Sequence, residues 1–123
     1  MNYLKQKSKH NIDAAKFLID NKHYTSSVHC AYYSCLQILK VICIKRGKNI
    51  DKNKPVHKQI IDYICAEIKD DKDRRSFRNT IYDLKLFREK SDYEGVLISE
   101  KDADKAYNTA KNILTFIYQK FEL

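Results

Sequence analysis

A chain of 123 residues with 43% apolar side chains is long enough for one hydrophobic core and too short for two. Its 2 glycines and 1 proline cannot furnish the turns of a sandwich or barrel, which excludes an all-β fold. The 24 Lys and Arg against 16 Asp and Glu give a net charge of +8, which attracts polyanions such as RNA, DNA or an acidic protein; spread along the chain with acids between them, the same residues equally suit a solubilising surface.

In chain order, the first helix is expected from Ser8 to Asn21, with Ile12, Ala15, Phe17, Leu18 and Ile19 as its apolar face and Asn21-Lys22-His23 as its end. The second runs from Tyr24 to Arg46. Val28, Tyr32, Cys35, Leu36, Leu39, Ile42 and Cys43 recur every three or four residues, the helical period. Ala31, Ile38 and Val41 widen that stripe around most of the circumference, which marks a central helix, and Gly47 closes it. After the polar connection Lys48 to Lys54, Pro55 is placed to begin a third helix carrying Val56, Ile60, Ile61, Ile64, Cys65 and Ile68. Lys69 to Lys72 reads as a charged break, Asp73 to Lys90 as a fourth helix with Phe77, Ile81 and Leu84 inward, and Ser91 to Ile98 as irregular chain. Ser99 caps the last helix, Glu100 to Phe121, with Asp102 in the capping-box position and Ala103, Ala106, Ala110, Ile113, Leu114 and Ile117 inward. The expected fold is all-α: an up-and-down bundle of four to five helices with antiparallel neighbours, in one domain.

Cys30, Cys35, Cys43 and Cys65 have no metal-site spacing, so they are expected as small buried apolar residues in a reducing compartment. His10, His23, His29 and His57 form no ligand set, and no metal or cofactor is inferred. The N-terminus has no apolar run behind it and no segment reaches about 18 consecutive apolar residues. The expectation is a cytoplasmic protein with no membrane contact.

Two segments could carry chemistry. Lys45 to Lys58 is the most basic stretch, with Lys45, Arg46, Lys48, Lys52, Lys54 and Lys58 against Asp51 alone. A flexible basic loop leading into a helix N-terminus suits phosphate. The second segment is the fourth helix. Phe77, Ile81, Leu84 and Arg88 follow offsets of four, three and four, so Arg88 falls on the core stripe. A guanidinium keeps its charge and needs a partner when buried; Asp92 stands four residues on, with Tyr93 beside it. The arrangement reads as a buried ion pair that pins the helix end or as a polar site between helices. Tyr32 and Tyr33, being adjacent, point different ways, one into the core and the other into a groove that His29, one turn before Tyr33, would share.

Ala31-Tyr32-Tyr33-Ser34 on a long apolar helix, then His57 before another, then Leu86-Phe87-Arg88-Glu89-Lys90-Ser91-Asp92-Tyr93, resembles the HEPN domain in order and spacing over nearly the whole chain. It is most similar to the small stand-alone branch associated with nucleotidyltransferases, with its "R-x-x-A-D-Y" segment. The resemblance implies a helical bundle that forms a homodimer, a nucleotidyltransferase partner in a toxin–antitoxin or defence module, and RNA or a nucleotide as ligand. Many HEPN proteins are metal-independent RNases that use Arg, four to six residues, then His. No Arg here is followed by His at that spacing. The first functional expectation is therefore a non-catalytic subunit that binds through Arg88, Asp92, Tyr93, Tyr32, Tyr33 and the basic loop. The second is an RNA-cleaving toxin with a diverged site, using Arg88 with His57 or His29 from across a dimer, and the third a helical adaptor without a ligand.

Overall fold

A helix apolar around most of its circumference must be covered on most sides, and the computed structural model, which describes residues 2–93 and 95–123, is built on that requirement. It contains five helices, α1 (Asn2–Asp20), α2 (Tyr24–Lys45), α3 (Val56–Glu67), α4 (Asp71–Tyr93) and α5 (Glu100–Lys120), and no strand among the described residues. The protein is an all-α bundle. Of the 22 residues of α2, 12 are buried, and all four other helices pack on it. By length and a mean hydropathy of 1.3, α2 could cross a membrane, but its apolar side chains are spent on the core.

The helix ends follow local chemistry. Gly47, at φ +68, closes α2: its N–H donates to Ile44 O, and that of Lys48 to Cys43 O, the paired bonds of a Schellman cap. The same pattern closes α1, with Lys22 at φ 64 where glycine would sit without strain. Ser99 accepts from the Asp102 N–H at 3.1 Å and starts α5 as expected.

Three expectations are corrected. First, α1 starts at Asn2, well before Ser8, because Leu4 packs on the core and Ser8 is itself buried, its hydroxyl donating to Ser34 O at 2.7 Å. Second, Phe17 is 66% exposed. At 3.6 residues per turn it lies about 200° from Ala15 and from Ile19, and the buried stripe of α1 is Ser8, Ile12, Ala15 and Ile19. Third, α4 is longer at both ends. Asp70 accepts the Asp73 N–H at 2.9 Å, so the charged stretch is a cap. At the other end Ser91, Asp92 and Tyr93 are helical; Glu94, within the stretch read as irregular, lies outside the described residues.

Direction alternates at most steps. Ser27 donates to Ala15 O across α1 and α2, Arg88 lies on Tyr32 across α4 and α2, and Lys120 pairs with Asp73 across α5 and α4. The exception is α3, whose start lies beside Tyr32 through His57 and whose end lies beside Arg46 through Glu67. It therefore runs along α2 in the same direction, and the connection from Arg46 to Pro55 carries the chain back. That connection is held in place: Gln59 accepts the Asp51 N–H at 2.9 Å and donates to Asp51 O at 2.7 Å. The return of the chain is what sets His57 against the middle of the bundle.

Candidate functional site

The offsets that put Arg88 on the core stripe of α4 carry it under α2, where it is 5% exposed. Its guanidinium carbon lies 5.0 Å from the centre of the Tyr32 ring, 5.3 Å from Tyr33 and 5.8 Å from Tyr93. Aromatic faces attract a cation, and here three of them replace most of its water. Nη1 donates to Tyr93 Oη at 3.4 Å, and the Asp92 carboxylate approaches to 3.6 Å. Burial opposes the Arg88 charge, but Tyr33, Tyr32, Tyr93 and Asp92 outweigh it and hold the pKa above its ordinary value.

The two histidines stand on either side of this cage. His29 Nδ1 lies 2.9 Å from Asp92 Oδ2, the same oxygen that faces Arg88. His57, at the start of α3, lies 3.0 Å through Nδ1 from Tyr32 Oη. Burial pushes the fully buried Tyr32 phenol far above its ordinary range. Burial, then the charges of Arg88, Lys85 and Lys40, hold His57 below its usual value. The phenol is thus the donor and the neutral imidazole accepts on Nδ1, which leaves the proton of His57 on Nε2. Tyr33 stands between the imidazoles, its ring centre 4.6 Å from that of His29 and 5.8 Å from that of His57.

Seven expected residues therefore meet: His29, Tyr32, Tyr33, His57, Arg88, Asp92 and Tyr93. As expected, one tyrosine is in the core and its neighbour faces the groove with His29. The histidines act in the same chain as Arg88 and need no second copy to reach it. The cations of the basic loop do not join them. Arg46 pairs with Glu67 at 2.9 Å and covers Phe121, and Lys48 lies over Tyr63; 14 residues of helix separate Arg46 from Tyr32, about 20 Å of rise. Lys58 pairs with Asp62 at 2.6 Å, while Lys45, Lys52 and Lys54 are exposed.

Sequence reasoning missed Lys40, Lys85 and Glu89. Lys85 pairs with Glu89 at 2.5 Å, and all three act on the charge of His57. The signal was available: His29, Tyr33, Gln37 and Lys40 follow offsets of four, four and three on the open face of α2. Among the described residues, no three His, Cys, Asp or Glu side chains are placed to hold a metal ion, and all four cysteines are free. A cleft of about 340 Å³ lies elsewhere, between α4 and α5, lined by Leu84, Phe87, Ala106 and Thr109 among others.

A tyrosine pair on the central helix, a histidine on the next and an Arg-x-x-x-Asp-Tyr end on the fourth form one site. The HEPN domain model matches residues 1–120. The chain belongs to the HEPN domain family. It matches no curated protein and no solved structure. HEPN proteins are often RNases or parts of toxin–antitoxin systems, and they commonly dimerise. His57 and Arg88, far apart in sequence, both contact Tyr32 through the fold.

Proposed function

We propose that this HEPN protein binds RNA across the surface formed by His29, Tyr33 and His57. In this reading it is a cytoplasmic, homodimeric, non-catalytic subunit of a nucleotidyltransferase-linked toxin–antitoxin or defence module, of the small stand-alone HEPN branch. One observation carries the reading: two imidazoles lie 4.6 and 5.8 Å from the Tyr33 ring, which is itself 5.3 Å from a buried guanidinium, and the charges of Lys40 and Lys85 act on His57. Single-stranded RNA needs flat faces for its bases and cations for its backbone. The exposed Lys45, Lys52 and Lys54 extend the positive field around the bundle.

The test is a fluorescence-anisotropy titration with a labelled single-stranded RNA. Binding that weakens as salt rises, and about fivefold further in His29→Ala, is the expected result, since stacking on one ring is worth about 1–3 kcal/mol per base. No binding at low salt rejects the reading, and displacement of the RNA by mononucleotides at equal concentration would make a nucleotide the ligand. Co-purification with the product of a neighbouring nucleotidyltransferase gene tests the module.

The neutral His57 beside Arg88 favours a second reading, an RNA-cleaving toxin with a diverged site. In the other tautomer, with the Tyr32 hydroxyl turned to accept from Nδ1–H, Nε2 of His57 would take the 2′-hydroxyl proton while Arg88 steadies charge on the phosphate. Cleavage in the presence of chelator, lost in a folded His57→Ala variant, selects this reading; RNA that stays intact rejects it.

A further inference from the structure

The seam between α2 and α3 continues past His57. Because α3 runs along α2 in the same direction, residues that follow Tyr33 on one helix lie beside residues that follow His57 on the other. Lys40 comes two turns after Tyr33, and its charge still acts on His57. One turn further, the Lys48 N–H donates to Cys43 O at 2.9 Å and anchors Lys48 beside the end of α2. The Lys48 ammonium lies over the ring of Tyr63, 5.7 Å from its centre. From Tyr33 to Cys43 the helix rises about 15 Å.

Tyr63 is a ring held at both ends. It packs on the core, and its hydroxyl donates to Glu67 at 3.0 Å. Glu67 is paired in turn with Arg46 at 2.9 Å, so the acid nearest the ring already has its cation. A side chain tied in this way has little freedom left to lose when a flat partner stacks on it. The cation over the ring is an exposed lysine, at a distance near the outer limit of a cation–π contact. Its flexible stem lets the charge leave the ring at small cost. Nothing else described for this protein uses the pair.

We propose that Tyr63 and Lys48 form a second nucleotide platform, and that one single-stranded RNA runs along the α2–α3 seam from Tyr33 to Tyr63. A base stacks on each ring, Lys48 turns from the ring it covers to the neighbouring phosphate, and Lys40 meets the backbone between the platforms. Stacked nucleotides advance about 3.4 Å each along a strand. The 15 Å rise therefore takes about four or five steps, and the seam holds about six nucleotides. The inference rests on the RNA reading for its ligand and adds the length and path of that ligand.

The test is a length series on the full chain, with oligoadenylates from about three to about ten nucleotides competing against a labelled RNA in fluorescence anisotropy. In the wild type, affinity rises about tenfold between three and six nucleotides and then levels. Tyr63→Ala removes that rise and leaves the trinucleotide bound within about twofold of wild type. Tyr63→Phe keeps the ring and most of the rise. Lys48→Ala, at an exposed position, weakens the hexanucleotide about twofold and lowers its salt slope by about one. A rise that survives in Tyr63→Ala, or an affinity already flat from three nucleotides on, rejects the second platform and leaves the RNA reading standing. If Tyr63→Ala does not fold, a Lys48→Ala protein with the affinity and salt slope of wild type rejects the platform by itself. RNA that binds at no length rejects the RNA reading and this inference with it.

Discussion

The two sides of α2 bury polar groups in opposite ways. Against α1, Ser8 and Ser27 are sealed in, and each hydroxyl has a carbonyl across the interface, Ser34 O at 2.7 Å and Ala15 O at 2.8 Å. Ser34 closes on Ala31 O within its own helix. Against α4, Arg88 is sealed in with, among the described residues, one long hydrogen bond, the Asp92 carboxylate at 3.6 Å and an Nε without a partner. A buried polar group with its partner complete is a tie between helices. One left short costs stability.

The largest expected effect breaks the second side. Arg88→Ala opens a hole among three tyrosines and leaves Asp92 without its cation, for an expected loss of about 3 kcal/mol in urea unfolding. Arg88→Met fills the same space without the charge and is expected within about 1 kcal/mol of wild type. If Met is as damaging as Ala, the charge itself holds the fold and the two sides of α2 do not differ in this way. Next, Ser27→Ala breaks one satisfied tie and is expected to cost about 1 kcal/mol. A loss as large as that of Arg88→Ala would show that the serine side, too, is strained.

Acid titration should sharpen the contrast further. His57 has its pKa below the ordinary 6.5 in the folded protein. Below pH 6.5 the unfolded chain therefore takes up more protons there than the folded one. The stability contributed by neutral His57 is complete above that pH and is lost as pH falls through the lowered value. Urea midpoints between pH 7.5 and 5 should drop, and less steeply in His57→Gln, which keeps an acceptor for Tyr32 and does not titrate. Equal slopes would remove His57 from the account. The smallest effects belong to the exposed cations: Lys52→Ala and Lys54→Ala should leave stability within about 0.5 kcal/mol and weaken RNA binding by about twofold each, with a shallower salt dependence.

Much of this could be read in the sequence because it is local. The period of α2, the positive φ of Gly47 and the Ser99 cap each depend on residues within a turn or two. Arg88 was legible for the same reason, since three helical offsets fix its side of α4. The end of α1 was harder, because Lys22 does not announce a left-handed conformation as glycine does. The extent of α4 was missed because Asp70, Ser91 and Asp92 are turn-formers by type and act here as cap, backbone bond and ion pair. The basic loop misled, because closeness along the chain hid a return path that leaves Arg46 and His57 well apart.

By itself, then, the sequence determined the helices, the central place of α2 and the burial of Arg88, all consequences of residue type and helical period. Only the tertiary structure decided that α3 runs along α2, which brings His57 to Tyr32, and that His29 and Arg88 face the same oxygen of Asp92. Both are contacts across more than 20 residues of chain. No local spacing encodes them; they follow from how five helices share one core.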